Sequence, residues 1–136
     1  LSVGDVVTLT GEYQEFYDDS QIVIESADSI MSTGNGPAPD PEDVDAADIK
    51  TGGPMQENYE GVLVRVSDIN VTALDDMFGE WEVSDGLVMD SMFFSFDDWP
   101  SPMMGDSYGS LTGAMFYNYE KARMAPRTPA DIVPGN

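Results

Sequence analysis

The chain contains no cysteine and no histidine, and only five of its 136 residues are basic. The missing thiols exclude a disulfide framework, a zinc–thiolate site and a cysteine nucleophile, while the missing imidazole removes the usual neutral-pH base and metal ligand. Serine triads, cysteine dyads and histidine-ligated zinc hydrolases are therefore excluded. No apolar run approaches the 18 or so residues that span a bilayer, and the opening LSVGDVV has neither an initiator Met nor a signal-peptide pattern. That opening reads as a start inside a longer precursor or after processing.

Acid is what the chain has in excess. There are 26 Asp and Glu residues, giving a formal net charge of -21. Such a surface repels nucleic-acid backbones and anionic membranes. Asp (17) outnumbers Glu (9) and lysine is nearly absent, a balance that keeps a surface hydrated in salty surroundings and points to an extracellular or cell-surface setting; a plain solubility bias is the alternative. Hydrophobic residues make up 41% of the chain, too many for a solvated disordered segment. At this length, one domain spanning residues 1–136 is expected.

Period-two alternation of Val, Ile, Tyr and Phe between Gly, Pro and Asp clusters predicts an all-β domain. A long first strand runs over Asp5–Phe16 with a bend at Gly11, and Gln21–Glu25 follows as its hairpin partner. Between residues 32 and 58 the composition turns to Gly, Pro and Asp, which marks a long loop. Inside it, Asp40 as cap, Pro41 at the first position and Gly52-Gly53 at the end predict a short helix over Pro41–Lys50. Tyr59–Thr72 is the strongest strand, with Val62, Val64 and Val66 facing opposite to Leu63, Arg65 and Ser67. Ser84-Asp85-Gly86 predicts a tight turn between Gly79–Val83 and Leu87–Met89. Further strands are expected over Met92–Phe96, over Gly105–Tyr119 with kinks at Gly109 and Gly113, and over Ala122–Met124, ahead of a Pro-punctuated tail at residues 125–136. Strands curved by glycine close most naturally into a small barrel, with a β-sandwich as the competing architecture.

Three segments, GDVVTLTGEYQEFYDDSQIVI from Gly4, YEGVLVRVSDINVT from Tyr59 and GDSYGSLTGAMFYNYEKARMAPRTPADI from Gly105, resemble the OB-fold accessory domain of secreted nucleases and surface proteins of marine bacteria and myxobacteria. The resemblance implies a small five-stranded OB-like Greek-key barrel with one short helix in a long insertion between its second and third main strands. It also implies an accessory role, because the related enzymes keep their catalytic residues in another domain. OB-folds that hold single strands combine a basic groove with exposed aromatics, and the charge of this chain opposes that use.

Several side chains stand out as candidate sites. Asp18-Asp19, Asp75-Asp76 and Asp97-Asp98 sit at predicted turns where carboxylates could meet a hard cation such as Ca²⁺, the most plausible cluster being Asp97, Asp98 and Asp106; solvated turns without metal are the plainer reading. Trp99, between Asp98 and Pro100, and Trp81 are candidate contacts for a ligand or partner, against packing in the barrel. Arg65, a scarce cation in mid-strand, is expected to pair with a carboxylate on the adjacent strand, with ligand anchoring as the alternative. Arg127 is expected to tether the tail to the barrel.

The function these residues imply is a non-catalytic extracellular binding or assembly module of a larger protein. Its partner would be a protein, a glycan or further copies of itself. The alternatives are an accessory domain that positions nucleic acid for a secreted nuclease, and a structural subunit of a surface fibre or layer.

Overall fold

The computed structural model describes residues 1–75, 79–93 and 101–136 of the chain. Eleven strands form in it: β1 (Asp5–Leu9), β2 (Glu12–Phe16), β3 (Asp19–Val23), β4 (Ile30–Asn35), β5 (Glu42–Asp43), β6 (Leu63–Asp75), β7 (Glu80–Val83), β8 (Leu87–Met89), β9 (Ser107–Asn118), β10 (Lys121–Ala125) and β11 (Ile132–Pro134). One helical turn, α1 (Ala46–Ile49), lies between β5 and β6. The chain divides into two compact units, residues 1–40 and residues 41–136.

The larger unit contains the barrel. β6 pairs with β7, β7 with β8, β8 with β10 in parallel, β10 with β9, and β9 returns to β6, so that five strands close on themselves. This is the small OB-like Greek-key barrel, and α1 precedes it as its one short helix. β5 and β11 extend the sheet at β6 and β9 respectively.

Closure depends on a bend shared by the two longest strands. On β6 the inward residues are Val64 and Val66 and then Ile69 and Val71, so the alternation skips from even to odd positions. Asp68, at φ 56°, makes the skip, and Gly109 lies across from it on β9. The inward residues of β9 skip in step, from Leu111 to Tyr108. One strand can thus serve two sides of the barrel, as a kink at Gly109 predicts. Gly113 has a different reason to be glycine: a Cβ there would meet the Ala125 carbonyl carbon at 2.7 Å, because β9 and β10 approach closely.

The core contains Val64, Val66, Val83, Leu87, Met89, Leu111 and Met124, all shielded from water. Trp81 packs among them at 4% exposure, its ring tilted against Tyr108 with centroids 5.7 Å apart. Ile49 and Ala46 of α1 join the same cluster. The Asp–Gly turn forms between β7 and β8, with Asp85 at φ 65° and Gly86 at φ 81°.

Three expectations are corrected. Among the described residues the strands over 5–25 are not barrel strands: the predicted long first strand is broken into β1 and β2, β2 pairs with β3, and β1 pairs with β4. Pairing is decided by register and coverage, which alternation alone does not report. The segment 32–58 is not one loop either, since it holds the end of β4, β5, α1 and a 3-10 turn over Glu57–Tyr59. The helix begins after Asp45 rather than Asp40.

In the smaller unit, β1–β4 and β2–β3 are two separate two-stranded antiparallel ribbons. Phe16 pairs with Asp19 across a turn formed by Tyr17 and Asp18, at φ 53° and 63°. Among the described residues no helix is long and apolar enough to cross a membrane.

Candidate functional site

A groove of about 1060 Å³ lies between the β5–α1 segment and β6 in the barrel unit. Its lining is dominated by five carboxylates, Asp43, Asp45, Asp48, Asp68 and Asp85, together with the single cation Arg65. Each arrives by a different structural cause. Asp43 is the register partner of Arg65 in the parallel β5–β6 pair, while Asp45 immediately precedes α1 and Asp48 lies on it, beside the buried Ala46 and Ile49. Asp68 occupies the bend of β6, and Asp85 the β7–β8 turn.

Arg65 pairs as its position predicts. Its Nε donates to Asp43 Oδ1 at 2.7 Å, with the guanidinium 37% and the carboxylate 75% exposed. A pair this open contributes at most about 1 kcal/mol, so it positions charge more than it stabilises. Among the described residues Asp45, Asp48, Asp68 and Asp85 form no ion pair. Lys50 reaches the rim, but its Nζ donates to the Asp85 backbone carbonyl at 2.8 Å. Tyr59 and Met55 are among the apolar residues of the lining. A smaller hollow of about 670 Å³ continues past Arg65, Ser67 and Asp68 toward Tyr108, Ser110 and the β11 tail.

Chemically, the groove suits cationic groups on flexible stems. Four unneutralised carboxylates favour ammonium or guanidinium heads, and a tyrosine with a methionine can receive the methylene stems.

A second charged cluster is structural in character. Arg123 on β10, with only 4% of its side chain exposed, donates through Nη2 to Glu80 Oε1 at 2.6 Å and lies 3.7 Å from Asp90. Its Nη1 also donates to the Asn118 backbone and side-chain oxygens. Lys121 completes the set with a 2.9 Å contact to Glu80 Oε2. Burial pushes the Glu80 carboxyl up, yet the hydrogen bonds from Lys121 and Arg123 outweigh it and hold the group below its ordinary value. For Asp90, burial prevails and its carboxyl is raised. Sequence reasoning missed this network, although the signal was the one that marked Arg65, a scarce cation in a strand between apolar neighbours.

The other sequence candidates fall in varied places. Trp81 is a core residue. Asp97, Asp98 and Trp99 lie outside the described residues. Asp106 accepts the Met103 backbone N–H at 2.8 Å in a tight turn. Among the described residues no three acidic side chains converge as a metal site would require. Arg127 folds back on Asp131, Nη2 to Oδ1 at 2.8 Å, and the same carboxylate accepts the backbone N–H groups of Arg127 and Thr128. It therefore organises the tail internally, and the attachment to the barrel comes from β11 pairing with β9. Burial raises the Asp131 carboxyl, but the Arg127 and backbone hydrogen bonds bring it below its usual range.

Comparison of the chain with protein-family models, curated proteins and solved structures gave no match.

Proposed function

We propose that the chain is a non-catalytic binding module, extracellular or at a cell surface, whose barrel presents the acidic groove to a cationic segment of a partner protein. The observation that carries this is the groove itself: five Asp residues line it, and its one arginine is already paired with Asp43. No histidine or cysteine exists to act as nucleophile or neutral-pH base. The segment 32–58 contributes Asp43, Asp45 and Asp48 to the groove.

Positioning of nucleic acid is the weaker reading. In OB-folds, the second and third strands and the loops after the first and fourth strands contact oligonucleotides. The corresponding β7 carries Glu82, and the β9–β10 turn carries Glu120, carboxylates that repel phosphate.

An acetylated six-residue arginine peptide tests the reading by backbone amide NMR at physiological salt. Shifts are expected at residues 43–48, 65–69 and 84–85, with affinity falling at least about tenfold in the Asp45→Asn/Asp48→Asn/Asp68→Asn variant, as loss of three charge contacts implies. Shifts that avoid this groove, or survive the triple substitution, contradict it.

A further inference from the structure

None of residues 1–40 is buried. Both ribbons of this unit are two-stranded, an arrangement that is marginal in water without a surface to pack on. Yet their strands hold apolar side chains open to water: Val7, Leu9, Tyr13, Phe16, Ile22 and Met31 are all at least 36% exposed. Phe16 and Tyr17 meet edge to face at the β2–β3 tip, centroids 4.7 Å apart. Tyr17 is 81% exposed, in the left-handed region at φ 53° that the two-residue turn from β2 to β3 requires. Exposed apolar area of this kind marks a surface that another molecule covers.

The charge of the unit says which molecule. Residues 1–40 hold eight of the 26 acidic side chains and none of the five basic ones. The carboxylates are interleaved with the apolar positions, Glu12 opposite Val23 and Asp19 opposite Phe16. A second copy of the chain, at net charge -21, would be repelled.

We propose that residues 1–40 are a docking arm that seats an apolar strip of another protein rimmed by lysine and arginine. The ribbons' open edges add main-chain donors and acceptors that an extended partner segment can use, while the interleaved carboxylates select its charge. The arm is a separate site from the acidic groove, whose lining lies wholly within residues 43–85.

An acetylated ten-residue peptide of alternating valine and lysine, beside its valine–glutamate counterpart, tests this by amide hydrogen exchange on the full chain. The lysine peptide is expected to slow exchange across 5–9, 12–16, 19–23 and 30–35 at least tenfold, with the glutamate peptide inert. Val7→Asp/Ile22→Asp should abolish the slowing and leave the barrel amides unchanged. The groove variant Asp45→Asn/Asp48→Asn/Asp68→Asn should keep it, which separates failure of the arm from failure of the groove. Equal slowing by both peptides, or none by either, overturns the proposal. So does slow exchange of these amides without peptide: if independent of protein concentration, the chain covers its own arm, and if rising with it, a second copy does.

Discussion

The two units of this chain are made from similar strands and solve the hydrophobic problem oppositely. Residues 41–136 close five strands around a dry core, whereas residues 1–40 hold eleven of the 19 exposed large hydrophobic residues described and bury nothing. Alternation is present in both. The difference is whether a strand's apolar side meets another layer, and stability follows coverage rather than pattern.

Substitutions in the barrel should therefore be costly where equivalent ones in the arm are silent. The largest effect is expected at Arg123. Arg123→Ala strips a guanidinium from Glu80 and leaves carboxylates half-buried, which should cost about 3–5 kcal/mol in urea unfolding followed by near-ultraviolet circular dichroism. A loss under about 1 kcal/mol would mean the cluster is solvated and the barrel less dry than described.

Next comes the core itself. Leu87→Ala removes a fully buried side chain and should destabilise by about 2–5 kcal/mol. Ile22→Ala, at 59% exposure in the arm, should change the same unfolding midpoint by less than about 0.5 kcal/mol. Equal losses would erase the contrast between the units.

Acid sharpens the comparison further. Because the folded Glu80 and Asp131 carboxyls lie below their ordinary values of 4.5 and 3.8, their contribution is complete above those values and is lost as pH falls through the folded ones. Asp90 is raised, so it acts with the opposite sign, and folding is relieved as pH drops through its folded value toward 3.8. Urea midpoints measured from pH 6 to pH 3 should decline with acidification. In Glu80→Gln the neutral-pH stability should be lower and the acid slope shallower, while Asp90→Asn should cost little at neutral pH. An unchanged slope in Glu80→Gln would show the pair to be absent.

The smallest effect concerns the turns. Tyr119 and Glu120 link β9 to β10 with φ of 46° and 62°, as Tyr17 and Asp18 link β2 to β3. Glu120→Gly should stabilise the barrel by up to about 1 kcal/mol, because glycine adopts that conformation without a Cβ penalty. The parallel change Asp18→Gly should leave barrel unfolding unmoved.

Much of the barrel was legible in the sequence. Leu87–Met89 forms as expected, Val64 and Val66 point inward, and the Asp85-Gly86 turn follows from the positive φ that such a pair tolerates. Asp5–Phe16 misled because Val7, Leu9 and Tyr13 alternate as a half-buried strand does, and alternation records amphipathy without saying what covers it. The Tyr119–Glu120 turn left no signal, since neither residue is a favoured occupant of the left-handed region. Of the site, Arg65 and its carboxylate partner were readable from the scarcity of cations. The groove was not, because Asp43, Asp68 and Asp85 are 42 residues apart at the extremes and converge only through the β6 bend and the parallel β5–β6 pair.

Native-state hydrogen exchange on the isolated chain tests the contrast most directly. Amides of β6 and β9 should be protected by at least about 10³, in keeping with a domain stability of about 5 kcal/mol, while those of β1 to β4 exchange within about tenfold of an unfolded chain. Comparable protection in the two regions would contradict the account.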